Sequence, residues 1–122
     1  MAQNPLYTTH GDWAGMLIDS YIYSPQGEWI GWVNPGGIVF SVVGEYIGWL
    51  AKDFRVLRKR DIVETIPRRA PPTRPALKIR MPSSVPLAPL MSDLTYDTID
   101  VFEEMPERLH TIDADPSAKD ID

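Results

Sequence analysis

Residues Tyr21–Val33 and Ile38–Leu50 are two copies of one pattern, and no other feature limits the folds open to this chain as tightly. Ser24, Gly27, Glu28, Ile30, Gly31 and Trp32 reappear as Ser41, Gly44, Glu45, Ile47, Gly48 and Trp49. A third copy precedes them, with Tyr7 on Tyr23, Gly11 on Gly27, Asp12 on Glu28, Trp13 on Trp29 and Gly15 on Gly31. A weaker fourth runs from Phe54 to Glu64, placing Val56 on Val39 and Leu57 on Phe40 but lacking the glycines and the tryptophan.

Each copy predicts a β-hairpin. Tyr21 to Tyr23 and Trp29 to Val33 are aromatic and β-branched, which suits strands. Between them stands Ser24-Pro-Gln-Gly27. Proline presets φ for the second position of a type I turn, and glycine accepts the left-handed bulge that follows. Ser41-Val-Val-Gly44 and Thr8-Thr-His-Gly11 keep the glycine in place, and Asn34-Pro-Gly-Gly37 predicts the turn that joins the second hairpin to the third. Both faces of the strand Trp29–Val33 are apolar or small, so both are expected to be covered. Gly31 and Gly48 fall in mid-strand, where glycine costs stability unless a neighbouring backbone or ring comes close. Hairpins repeated without an intervening helix must bury their faces on one another, and a closed radial arrangement does so with few free edges.

Seven of the twelve prolines lie in residues 67–89. This run favours an extended chain and cannot feed a sheet ladder. Leu77, Ile79, Met81, Val85, Leu87 and Leu90 supply apolar anchors, so the segment 67–91 is expected to pack over the hairpins of residues 1–66. Residues 92–106 read as a short helix, with Thr95 as N-cap, Leu94 and Ile99 as a hydrophobic staple, and Ile99, Phe102 and Met105 on one face. Pro106 ends it. Residues 107–122 are polar and acidic, and disorder is expected.

These elements resemble the four-fold β-flower proteins, a family of small, mostly bacterial and functionally uncharacterised chains. The resemblance covers roughly residues 5–105 and rests on Tyr23/Phe40, Gly27/Gly44, Gly31/Gly48 and Trp32/Trp49, followed by the Pro-rich run and the Ser-Asp-Leu-Thr opening of the acidic segment. It implies a mainly β fold, with three to four antiparallel hairpins around a pseudo-four-fold axis, then the extended segment and one short C-terminal helix. It brings no catalytic residues. The departures are the missing glycines of the fourth copy and Met16 where Trp32 and Trp49 stand. Residues 39–49 also look like one half of a PRC-barrel motif, the alternative fold.

Charge is segregated within a net charge of −5. Residues 1–51 hold four acids and no base, residues 52–80 carry a local +7, and residues 92–122 a local −8. Opposite blocks of this size meet one another or meet a partner. There is no cysteine, so disulfides and thiolate chemistry are excluded, in keeping with a cytoplasmic protein. No signal peptide and no apolar run of roughly 20 residues is visible.

Candidate sites follow from these blocks. Arg58, Lys59, Arg60, Arg68, Arg69 and Arg74 form the candidate interaction residues, open either to the acidic part of the same chain or to nucleic acid. Arg69-Ala-Pro-Pro-Thr-Arg-Pro75 also matches a peptide for SH3-type grooves. Asp12, Glu28 and Glu45 share one repeat position, and convergence on a cation is weighed against three separate surface carboxylates. His10 and His110 are the only histidines; His10 reads as a turn residue. The tryptophans and tyrosines follow the strand period and read as core rather than as a ligand groove. No phosphate loop, Ser-His-Asp set or nucleophile elbow is present. The expectation is a small non-enzymatic structural or protein-interaction module without cofactor or metal, monomeric or weakly self-associating, with an unknown protein partner. Nucleic-acid binding through residues 55–80 is the alternative.

Overall fold

The computed structural model describes residues 3–60, 67–73, 75 and 78–112. These residues form one antiparallel sheet of eight strands in sequence order: β1 (Gln3–Tyr7), β2 (Trp13–Ile18), β3 (Tyr21–Tyr23), β4 (Trp29–Val33), β5 (Ile38–Ser41), β6 (Tyr46–Leu50), β7 (Val56–Lys59) and β8 (Thr98–Asp100). The turns follow from their sequences. In the second hairpin Gly27 N–H donates to Ser24 C=O at 2.9 Å, and the Ser24 hydroxyl accepts from the N–H groups of Gln26 and Glu28 at 3.2 Å each. Gly44 N–H repeats the bond to Ser41 C=O at 3.0 Å. Gly27 and Gly44 take φ of 86° and 87°, the left-handed region that a Cβ disfavours. The pairing register slips beside each turn, between Leu6 and Tyr7, Ile22 and Tyr23, and Val39 and Phe40, which is the predicted bulge.

Four equivalent side chains meet at the centre. Leu6, Ile22, Val39 and Val56 are each fully buried in one cluster with Ile30, Val33, Ile47, Val101 and Leu109. A second cluster gathers Met16, Tyr23, Trp29, Trp32, Phe40 and Val42, with Trp32 stacked on Phe40 at 4.6 Å and 20°. β4 is buried along its whole length, as its two apolar faces require. The indole N–H groups of Trp13 and Trp29 donate to the carbonyls of Gly15 and Gly31, both at 2.7 Å, so the half-buried ring of Trp13 and the buried ring of Trp29 each have their polar atom satisfied.

The mid-strand glycines are seats for the next hairpin. A Cβ on Gly31 would lie 2.7 Å from the Phe40 carbonyl oxygen and 2.8 Å from Leu109 Cδ2, and one on Gly48 would overlap the Leu57 carbonyl oxygen. The expected close approach is therefore a backbone carbonyl.

The fourth hairpin departs from expectation. Its first strand is β7, aligned as predicted through Val56 and Leu57, but its second strand is β8, with Leu57 opposite Asp100 and Lys59 opposite Thr98. The end of the expected sequential copy, residues 61–64, lies outside the described residues. Strand pairing also corrects the helix. Residues 92–97 are not helical, residues 98–100 are strand, and α1 spans only Val101–Glu104. Its N-cap is Asp100, whose carboxylate accepts from Phe102 N–H at 3.1 Å, not Thr95. The ladder of β7 needed a partner, and that tertiary demand outweighed the local helical spacing of Ile99 and Phe102.

The Pro-rich segment crosses the hairpins in reverse order. Arg69 N–H donates to Gly44 C=O at 2.9 Å, and Ile79 N–H to Gly27 C=O at 2.7 Å. Ala88 Cβ comes within 3.8 Å of where a Cβ on Gly11 would stand. Ile79, Met81 and Val85 pack on the aromatic cluster, as expected of this segment. Leu87 and Leu90 do not: they are 96% and 101% exposed. Leu77 lies outside the described residues. The acidic end is ordered further than expected, since Leu109 is buried in the core and Ile112 packs on the aromatic cluster. Residues 113–122 lie outside the described residues.

Candidate interaction surface

The basic block is carried by β7 and by the start of the Pro-rich segment, and the chain itself meets most of it. Arg55 is 2% exposed. Its guanidinium donates to both Asp53 oxygens at 3.0 and 2.6 Å, to the Thr9 hydroxyl at 3.2 Å and to Ser92 C=O at 3.1 Å. That set serves folding, since a buried cation must be paired and bonded. Arg58 donates to the carbonyls of Ile47 and Tyr46 at 3.1 and 3.4 Å and sits 5.7 Å above the Tyr46 ring. Burial first, then the charge of Arg108, pulls its pKa below the usual arginine value.

Lys59 pairs with Asp97 at 3.1 Å, and Arg60 with Glu104 at 3.6 Å while donating to Tyr96 C=O at 2.8 Å. The Thr95 hydroxyl, then Lys59, holds the Asp97 carboxyl down at about 2. Basic β7 thus meets the acidic segment beside it, which is one of the two arrangements the charge blocks allow. Arg68 instead pairs with Glu45 of the third hairpin at 3.0 Å, and Arg108 approaches the same carboxylate at 3.9 Å. Arg69 is exposed and docks through its backbone; Arg74 lies outside the described residues. Exposed pairs of this kind are worth ~0–1 kcal/mol each, so a partner's charges can replace them at small cost.

The repeat-position carboxylates stay apart. Glu45 joins the two arginines, Glu28 bridges to Lys78 through its backbone, and Asp12 is exposed at the tip of the first hairpin. Among the described residues no group of three His, Asp or Glu side chains is placed to hold a metal ion. His10 is an exposed turn residue, as its sequence position predicts, and bonds Glu103 of α1 through its ring and at 3.0 Å through its backbone N–H. His110 Nδ1 lies 3.0 Å from the Thr111 carbonyl.

Two features escaped the sequence reading. Asp100 is 2% exposed and accepts from both the N–H and the hydroxyl of Thr9 at 2.7 Å, tying β8 to the first hairpin. Burial pushes its pKa up, against those hydrogen bonds. The signal was an aspartate directly before Val-Phe-Glu-Glu, an N-cap pattern. The second is the exposed set Leu87, Leu90 and Tyr96, the last 90% exposed. Flanking Pro86 and Pro89 were the signal that this stretch cannot pair into a sheet.

Four hairpins in one curled sheet, seated on mid-strand glycines around four equivalent core residues, define a repeated-hairpin β-protein. The chain belongs to the 4-fold beta flower protein family, whose model matches residues 3–99. No curated protein and no solved structure matches it. No helix among the described residues is long and apolar enough to cross a membrane.

Proposed function

We propose that this chain is a non-catalytic, cytoplasmic protein-interaction module whose contact site is the arm formed by residues 82–97. The observation that carries this reading is the exposure of Leu87, Leu90 and Tyr96 on a stretch without helix or strand, where the other large apolar side chains of the described residues are buried or half-buried. Leaving a leucine in water forgoes roughly 1.5–3 kcal/mol of burial, and a partner's groove recovers it. Pro86 and Pro89 restrict the arm before binding, which lowers the ordering cost, as in recognition of Pro-rich peptides. The Lys59–Asp97 and Arg60–Glu104 pairs flank the arm and give it a charged rim. Cross-linking of the wild-type chain in cells, against Leu87→Ser/Leu90→Ser, tests the reading. A discrete protein adduct lost in the double variant supports it. The same adducts with both chains overturn it.

A second reading, nucleic-acid binding through residues 55–80, draws on the exposed Arg69, Lys78 and Arg80. A gel-shift salt series separates the two readings, because binding through phosphate contacts weakens steeply with salt. No shift at low salt removes the second.

A further inference from the structure

The first hairpin connects to the second differently from the others. Gly15 precedes Ile22 by seven positions, whereas Gly31 precedes Val39, and Gly48 precedes Val56, by eight. The shorter link is made by Asp19 and Ser20 between β2 and β3. To turn in so few residues Asp19 adopts φ 57°, a left-handed backbone that costs a residue with a Cβ and that Asp and Asn tolerate best.

Beside this turn lies an open cleft of about 400 Å³, lined by Ile18, Asp19, Tyr21, Tyr23, Ile79 and Arg80 together with Gln3 and Pro75. The Pro-rich segment forms one wall, held by the Ile79–Gly27 backbone bond and by the Tyr21 hydroxyl donating to Thr73 C=O. The size and the mix of apolar walls with few polar groups are those of a small-molecule site. Its charges are the distinctive part. Asp19 and Arg80 line one cleft with opposite sign, yet no ion pair joins them, and neither forms an ion pair with another described residue. Tyr23, also in the lining, is 4% exposed, and burial, then Tyr21, then Asp19 push its hydroxyl pKa up, so the phenol stays neutral.

We propose that this cleft binds a small zwitterion of the free amino-acid class, with its ammonium on Asp19, its carboxylate on Arg80 and an apolar side chain against Ile18 and Ile79. A guanidinium takes a carboxylate through two parallel hydrogen bonds, and a carboxylate beside tyrosine rings suits an ammonium. A singly charged ligand would satisfy one wall and leave the other charge to water. The proposal is independent of the arm reading, since residues 82–97 take no part in the cleft.

The test uses the full chain with L-leucine as probe, followed by tryptophan fluorescence. Trp29 meets Tyr21 edge-on at 6.3 Å and reports on the cleft. Saturable binding of leucine is expected, with leucinamide and N-acetyl-leucine each weaker by about tenfold or more, the equivalent of one lost charged contact. Arg80→Gln should weaken leucine to a similar degree and leave leucinamide unchanged. Asp19→Asn keeps the left-handed backbone and should weaken leucine while sparing N-acetyl-leucine. Circular dichroism identical to wild type shows that both variants are folded; in that case leucine affinity equal to wild type in either variant overturns the proposal. So does the absence of saturable leucine binding at millimolar concentration, or equal binding of leucine and its two blocked forms.

Discussion

The third and fourth hairpins have the same place in the sheet and different origins. β5 and β6 are joined by Ser41-Val-Val-Gly44 and the residues at its edge, whereas β7 and β8 are separated by residues 60–97. Closing the longer connection costs about 2 kcal/mol more, taking the entropy to grow as (3/2)RT ln n. The third hairpin is specified locally, by a serine-capped turn and a glycine that seats the next backbone. The fourth has neither and is assembled by distant polar groups. Asp100 reaches Thr9, Arg55 reaches Thr9 and Ser92, and Lys59 reaches Asp97. A hairpin far apart in sequence is thus held by side chains where a local one is held by its turn.

Removing the distant partner gives the largest effect. A chain ending after Thr65 keeps β1 to β7 and loses β8, α1, Leu109 and the Pro-rich covering. It should aggregate or lack a cooperative transition, measured by size-exclusion chromatography and thermal melting. A monomer melting near the full-length temperature would show that the local hairpins stand alone. Next come the glycine seats. Gly48→Val drives a Cβ into the Leu57 backbone, while at Gly31 part of the clash falls on the movable end of Leu109. Overpacking costs on the order of 1–3 kcal/mol, and Gly48→Val should lie at or above the top of that range with Gly31→Val below it. Urea unfolding of the two variants ranks them, and the reverse order would contradict backbone seating.

The smallest effect is the His10–Glu103 latch between the first turn and α1. A hydrogen bond to Glu103, then its charge, raises the His10 pKa above 6.5. The folded state therefore holds the proton more tightly than the unfolded one. The contribution is full below pH 6.5 and is lost as pH rises through the folded value. For Glu103, burial works upward, but the His10 bonds and charge leave its pKa lowered, so its share is lost as acid protonates it. His10→Gln should melt slightly below wild type at pH 5.5 and match it at pH 8.5. Coincident melting curves at both values would remove the latch from the account.

The hairpins were legible because their information is local. The turn residues, the bulge glycines and the Tyr23/Phe40 and Trp32/Trp49 correspondences all lie within one repeat length. Val56, which the alignment set on Val39, is fully buried as Val39 is. What β7 pairs with was not legible, since Thr98-Ile-Asp100 is too short to carry a period and sits inside an apparently helical spacing. Leu87 and Leu90 misled for a related reason: apolar residues on a Pro-rich run look the same whether they face the core or the solvent. The cleft was hidden because Arg80 and Asp19 come to line one cleft only after the Pro-rich segment folds back across the hairpins.

The late pairing of β7 also matters while the chain is being made. Translation at ~5–20 residues per second leaves ~2–8 s between β7 and the arrival of its partner. Through that interval the edge of β7 is an open template for strands of other nascent chains. Its own residues Arg58 and Lys59, continued by Arg60, place like charges on every copy of that edge. Lys59 and Arg60, which pair with acids in the finished protein, therefore give that open edge a repulsion between copies, of the kind that keeps exposed strand edges from pairing, until Thr98–Asp100 emerges and occupies it.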